Sequence, residues 1–168
     1  MILGLSTSTF TSVHVALSLI GIVSGVIVLY CMVRAVRLDG WTALFLATTV
    51  LTSVTAFFFP STSFGPAHVV GVLSLVVLAA AIVALYFFHL AGPWRWIYIV
   101  GAVLALYLNV FVAVVQAFQK LPFLNVLAPK GSEPPFAITQ LLVLAGFIAL
   151  GVIAVRRFHP GEPAPASG

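Results

Sequence analysis

Long apolar runs, each close to the length that crosses a lipid bilayer, are the feature that most constrains the fold of this chain. A transmembrane helix needs about 20 consecutive apolar residues. Five such runs, bounded by charged residues, Pro or Gly, occupy residues 10–33, 41–59, 66–90, 94–118 and 136–155. They predict an all-α, polytopic transmembrane helical bundle.

The charged residues support this interpretation, because they make up only 6% of the 168 residues and lie between the runs or at their ends. Soluble proteins carry about 25% charged residues, enough to cover a water-facing surface. The composition therefore excludes a soluble enzyme, a nucleic-acid-binding protein and a disordered chain. The partner that it indicates is the lipid bilayer, and we attribute the net charge of +4 to orientation in that bilayer.

The basic residues also predict which side each loop faces. If all five runs span, the five arginines fall on one side, at Arg34, Arg37, Arg95, Arg156 and Arg157. The opposite side has only Lys120 and Lys130. Because cytoplasmic loops are enriched in Lys and Arg, we expect the N-terminus outside and the C-terminus in the cytoplasm. We further expect a multi-pass protein of a bacterial-type inner membrane.

The bundle is expected to form a single domain over residues 1–157. Within it, residues 119–135 form an outer loop with an apolar centre, LPFLNVL, which we interpret as a lid or as an interface with lipid or a partner protein. Residues 158–168 are rich in Pro and Ala and are predicted to be a disordered tail.

The positions of the charged side chains exclude some classes of function. Ionisable groups inside a membrane usually mark ion or proton pathways, and here no Asp, Glu, Lys or Arg lies in the interior of a run. An ion-coupled transporter is therefore excluded. The three acids, Asp39, Glu133 and Glu162, lie in loops or in the tail, so they form no acid/base pair. We predict no catalytic residue, and whether the chain is an enzyme stays open.

Neutral polar residues concentrate in the outer half of the predicted bundle. His14 and Ser18 share one face of the first run, Asn109 and Gln116 lie in the fourth, and His68 begins the third. The inner half is nearly all aliphatic apart from aromatic residues near the surface. The outer polar side chains are therefore the candidates for a binding site.

The most specific hypothesis is a haem b site, or less specifically a metal site, between His14 and His68. Imidazole is a frequent axial ligand of haem and a common metal ligand. Ser18 would leave room for the macrocycle, while Asn109 and Gln116 would bond a propionate or a quinone carbonyl. In this hypothesis a small redox protein exchanges electrons with quinone or a periplasmic partner.

A second hypothesis needs no cofactor. Here the chain is a non-catalytic membrane subunit, or a bundle that binds lipid, quinone or another apolar small molecule, and it packs on a membrane protein or on itself as a homo-oligomer. Gly21 and Gly25 form a small-xxx-small pair of the kind that lets transmembrane helices approach closely. The two histidines would then bond to backbone, side chains or water.

Overall fold

The computed structural model describes residues 2, 4–61 and 63–161, and 77% of them are helical. Within these residues no β-strand forms apart from an isolated bridge between Ile2 and Leu5. The helices are α1 (Thr7–Val33), α2 (Asp39–Ala56), α3 (Pro66–Ile82, continued by a π-helical turn, Val83–Phe87), α4 (Trp94–Lys120), the short α5 (Pro122–Asn125) and α6 (Pro134–Arg157). The prediction of an all-α bundle is confirmed.

Each predicted run overlaps one of the five long helices, and local chemistry sets the observed ends. The hydroxyl of Ser6 accepts a hydrogen bond from the N–H of Thr9, so α1 begins earlier than the apolar pattern indicated. Pro66 and Pro134 stand in the first turns of α3 and α6, where a residue without an N–H costs nothing.

The end of α3 differs from the predicted run of residues 66–90. Regular α-helical structure ends at Ile82, and the π-helical turn is followed by two residues in the left-handed region, His89 and Leu90, with φ of 46° and 61°. This turn buries the side chain of Leu90, whose N–H donates to the carbonyl of Ala84. Hydropathy alone does not distinguish such a turn from a continuing helix.

Four of the five long helices are long and apolar enough to cross a membrane: Thr7–Val33, Pro66–Phe87, Trp94–Lys120 and Pro134–Arg157. Helix α2 has 18 residues, of which seven are Asp, Thr or Ser, and this lowers its hydropathy. These polar side chains are mostly buried in the bundle, and outward-facing residues include Leu44, Ala47, Leu51 and Val54. Helix α2 thus has its polar side inward and its apolar side outward.

Long helices that follow one another in the chain run antiparallel. In the pair α1 and α2, His14 contacts Thr55 and a Cβ on Gly25 would touch Phe45. Residue numbers therefore rise along α1 in the direction in which they fall along α2. Helices α4 and α6 follow the same rule. Phe118 packs on Phe136 at one end of this second pair, and Arg95 bonds Val155 at the other.

The two ends of the bundle differ in charge. The arginine end, as we name it, contains residues 34–38, the start of α4 and the end of α6, and it brings Arg37, Tyr98 and Phe158 around one small space. The lysine end contains His14, the α2–α3 turn, His68 and residues 120–133. The arginine half of the interior is filled with aliphatic and aromatic side chains, whereas the buried polar residues concentrate toward the lysine half.

The predicted tail is ordered at its beginning. Phe158 is buried beside Tyr98, with ring centroids 6.3 Å apart, and its carbonyl accepts a hydrogen bond of 2.8 Å from Arg95 Nη1. The same nitrogen donates to the carbonyl of Val155 at 2.7 Å, so Arg95 caps the end of α6. The remainder of the predicted tail, residues 162–168, lies outside the described residues.

Candidate functional site

The first element of the site is a hydrogen-bonded contact between α1 and α4. The hydroxyl of Ser18 donates to Asn109 Oδ1 at 2.8 Å, and Asn109 Nδ2 donates to the carbonyl of Ser18 at 3.4 Å. Asn109 is 8% exposed, and a primary amide at this depth needs such partners because lipid offers none. The structure thus brings together two of the five predicted site residues.

Close helix approach at Gly21 permits this contact. A Cβ on Gly21 would lie 3.1 Å from both Asn109 Nδ2 and Thr49 Oγ1, so three helices converge where this residue has no side chain. Thr49 is 2% exposed, and its hydroxyl has no hydrogen-bond partner among the described residues. By contrast, the hydroxyls of Thr48 and Thr52 each bond a carbonyl one turn back in α2.

The second element is His14, which is half-buried near the start of α1 and bonded to α2. Its Nδ1 lies 2.7 Å from Thr55 Oγ1, and the same hydroxyl lies 2.7 Å from the carbonyl of Leu51 and 3.1 Å from that of Thr52. When the hydroxyl donates to one of these carbonyls it accepts from His14, and in that tautomer of the neutral ring Nδ1 carries the proton. The same tautomer leaves a lone pair on Nε2, which no described residue bonds.

Aromatic rings cover part of the surroundings of His14. The ring of Phe59 packs edge-on against the imidazole, with centroids 5.1 Å apart. Phe10 lies one turn before His14 and contacts Phe59 at 5.2 Å. The site therefore combines one hydrogen-bond acceptor with flat apolar surfaces, close to the lysine end of the bundle.

His68 has the opposite arrangement. Its Nδ1 accepts from the backbone N–H of Gly65 at 3.2 Å, so in the neutral ring the proton lies on Nε2, which is 3.2 Å from Ser61 Oγ. The ring also stacks on Phe64. Both nitrogens of His68 are used by the α2–α3 turn and the first turn of α3, where the ring acts as a cap.

The two histidines thus fit the predicted haem site unequally. A ligating imidazole usually donates one ring N–H to a neighbour and offers the other nitrogen to the metal. His14 has a polar neighbour at Nδ1 alone among the described residues, whereas both nitrogens of His68 have one. Among the described residues no group of three or more His, Cys, Asp or Glu is placed to hold a metal ion. Gln116, the fifth predicted site residue, is exposed on α4. Haem binding by the pair stays a prediction.

Large ligands would have to bind at the periphery. The larger of the two best-formed internal spaces among the described residues has a volume of about 10 Å³, and it lies at the arginine end. A space of this size holds one water molecule at most. Neither of these two spaces is lined by His14, which is half-buried at the surface of the bundle.

Two contacts were not predicted from the sequence, that of Thr55 with His14 and that of Arg95 with the end of α6. The sequence assigned no role to Thr55, and Arg95 entered only through its charge, which predicted the orientation. The signal for Thr55 was present, since the short connection between α1 and α2 sets their antiparallel register and places residues near 55 opposite His14. Nothing in the apolar pattern indicated that Arg95 reaches the carbonyls at the end of α6.

Comparisons of the chain with known protein families, with curated proteins and with solved structures found no match.

Proposed function

We propose that this protein is a five-span membrane protein that binds a lipid-soluble molecule carrying a hydroxyl group, of the quinol class, at His14. The single observation that carries this proposal is the 2.7 Å contact of His14 Nδ1 with Thr55 Oγ1, a hydroxyl that also lies 2.7 Å from the Leu51 carbonyl. With that hydroxyl donated to the carbonyl, His14 donates from Nδ1 and its Nε2 lone pair is an acceptor. An ionisable side chain placed inside a membrane helix is commonly a functional group.

The polarity of α2 supports counting it as the fifth span. A helix of 18 residues is about 27 Å long, close to the hydrocarbon thickness of a bilayer. Thr48, Thr49 and Thr52 are buried in the bundle, and the hydroxyls of Thr48 and Thr52 bond carbonyls of their own helix, so the lower hydropathy does not reflect polar groups facing lipid. Its contacts run from Phe45, opposite Gly25, to Thr55, opposite His14, along much of α1.

The grouping of the arginines supports the orientation. All five belong to the arginine end, whereas Lys120 and Lys130 belong to the lysine end. The positive-inside rule then makes the arginine end cytoplasmic and puts the candidate site in the outer half of a bacterial-type inner membrane. This is where a molecule dissolved in lipid would reach it without crossing water.

The chemistry at His14 favours a quinol over the corresponding quinone. A quinol hydroxyl donates a hydrogen bond, which matches the Nε2 acceptor, whereas a quinone carbonyl only accepts. Its ring would pack against apolar aromatic surfaces such as Phe59, and its tail would stay in the lipid. Ser18 and Asn109, bonded to each other, hold α1 against α4 one turn below.

Equilibrium binding of a short-chain quinol and its quinone to the protein in lipid nanodiscs tests this proposal, with empty nanodiscs as the blank. His14→Phe removes the acceptor and keeps an aromatic ring, and His68→Phe is the matched control. We expect saturable binding that is tighter for the quinol and about 10-fold weaker in His14→Phe, the equivalent of one hydrogen bond. The proposal would be refuted if nanodiscs with the protein took up no more quinol than empty nanodiscs. It would also be refuted if His14→Phe and His68→Phe bound the quinol equally.

Haem binding is a second candidate, and the observation that favours it is that Nε2 of His14 has no hydrogen-bond partner among the described residues. The residues present would supply one ligand as they stand, and His68 would have to give up its hydrogen bonds in the α2–α3 turn to supply the other. An absorption spectrum of the purified protein tests this. A Soret band that disappears in both His14→Phe and His68→Phe would support the pair, and its absence would leave no role for haem.

A further inference from the structure

The loop between α4 and α6 exposes apolar side chains at the lysine end. Val126 is 79% exposed and Phe123 is 67% exposed, while Leu121 and Leu127 also face outward. Together these four residues form what we name the apolar tip. Exposing apolar surface to water costs about 25 cal/mol of free energy per Å². We therefore expect another molecule to cover the tip and remove it from water.

Hydrogen bonds within its own loop shape the backbone of the tip. The side-chain amide of Asn125 donates to the carbonyl of Phe118 at 3.3 Å, and Ala128 is buried. The N–H groups of Val126 and Ala128 bond carbonyls of Pro122 and Leu124, which forms compact turns. The outward direction of Phe123 and Val126 therefore follows from an ordered backbone.

The position of the tip indicates its occupant. Helix α4 ends at Lys120 and α6 begins at Pro134, and both helices are long and apolar enough to cross a membrane. The tip between them must then lie at the boundary of the bilayer, continuous with their lipid-facing surfaces. At this depth, apolar side chains enter the region between head groups and acyl chains.

Charge at the edges of the tip is favourable for anionic lipid. Lys120 precedes it and Lys130 follows it, and both are exposed. The nearby Glu133 carboxylate is held by its own loop beside Lys130, because it accepts hydrogen bonds from the N–H groups of Lys130 and Ser132, each at 3.0 Å. Burial acts to raise the pKa of the Glu133 carboxyl, but these hydrogen bonds outweigh it and lower the pKa.

We propose that residues 121–127 are an interfacial anchor, whose apolar tip inserts among lipid head groups while Lys120 and Lys130 contact lipid phosphates. The anchor does not depend on a ligand at His14. It fixes the depth of the ends of α4 and α6 in the outer leaflet.

Spin labelling of the full chain in vesicles of phosphatidylcholine and phosphatidylglycerol tests the anchor. With the single cysteine replaced in Cys31→Ser, a nitroxide is attached to Val126→Cys or, as the control on the same loop, to Ser132→Cys. The experiment measures how often the nitroxide collides with oxygen, which concentrates in lipid, and with a nickel chelate, which is soluble in water.

At position 126 we expect oxygen accessibility several-fold above that to nickel, and at position 132 the reverse. Nickel accessibility at position 126 equal to that at position 132 would show a tip in water and overturn the proposal. A label at position 126 that is immobilised and shielded from both reagents would show a protein contact and would overturn it as well.

Discussion

The hydroxyl of Ser18 and the side-chain amide of Asn109 bond each other across the α1–α4 contact, at 2.8 Å. This pair lies one turn from His14. Near it, the absence of a side chain at Gly21 lets α4 approach α1 closely. The contact between Ser18 and Asn109 is a neutral hydrogen bond between two helices, made possible by their close approach at Gly21.

We expect the Ser18–Asn109 bond to contribute measurably to stability. Interhelical hydrogen bonds in membranes average about 0.6 kcal/mol and reach about 1.7 kcal/mol. A double-mutant cycle of Ser18→Ala and Asn109→Ala, followed by unfolding in mixed micelles, should give a coupling energy in this range. The cycle of Ser12→Ala with Asn109→Ala is the control, because the Ser12 hydroxyl bonds its own helix. Equal coupling in both cycles would contradict the contact.

Gly25→Ala should destabilise the bundle. The added Cβ would lie 2.6 Å from Leu106 Cδ1 and 2.8 Å from the ring of Phe45, which is buried. Overpacking of this kind costs about 1–3 kcal/mol. Gly146→Ala, whose Cβ would meet nothing within 4 Å, should instead be neutral or stabilising by up to about 1 kcal/mol. If the two substitutions changed the free energy of unfolding by the same amount, the close approach of α1, α2 and α4 would be contradicted.

Arg95→Gln should loosen the end of α6. The substitution removes a charged donor from the carbonyls of Val155 and Phe158, and hydrogen bonds to charged groups are worth about 1.5–3 kcal/mol in favourable cases. We expect faster proteolysis near residue 158 and a lower unfolding free energy. Arg156→Gln removes the same charge at an exposed position, and it should leave the proteolysis rate and the unfolding free energy unchanged. Equal effects would mean that Arg95 acts only through its charge.

The five-span topology predicts that the two ends of α2 face opposite sides. In a Cys31→Ser background, a membrane-impermeant thiol reagent applied from outside should label Ser63→Cys, which lies between α2 and α3. It should not label Val36→Cys, between α1 and α2, until the membrane is permeabilised. Both positions are exposed, so reactivity differs only by side. Labelling of both from one side would show that α2 does not cross.

The sequence sufficed to predict the helices because apolar length and boundary residues control them. Trp94 begins α4 as expected, and the ends of the other helices shift by caps and proline positions that act within one turn. The π-helical turn before His89 was not predictable, since it depends on backbone hydrogen bonds to Val83 and Ala84 that hydropathy does not encode.

The candidate site was predictable in part. The polar stripes of α1 and α4 identified Ser18 and Asn109, which do meet. The roles of the histidines were not predictable, because spacing shows where a ring lies along a helix and not which nitrogen bonds a neighbour. His14 and His68 lie at similar ends of their helices, yet Nδ1 of His14 meets the hydroxyl of Thr55, whereas Nδ1 of His68 accepts from the N–H of Gly65.

The most direct test of the central proposal is the ¹⁵N NMR spectrum of the His14 ring in nanodiscs, recorded with and without quinol. A variant that keeps His14 as its only histidine gives the assignment. We expect the neutral ring to carry its proton on Nδ1, and the unprotonated Nε2 resonance to shift when quinol is added. A proton on Nε2, or an Nε2 resonance that saturating quinol leaves unmoved, would contradict the proposal.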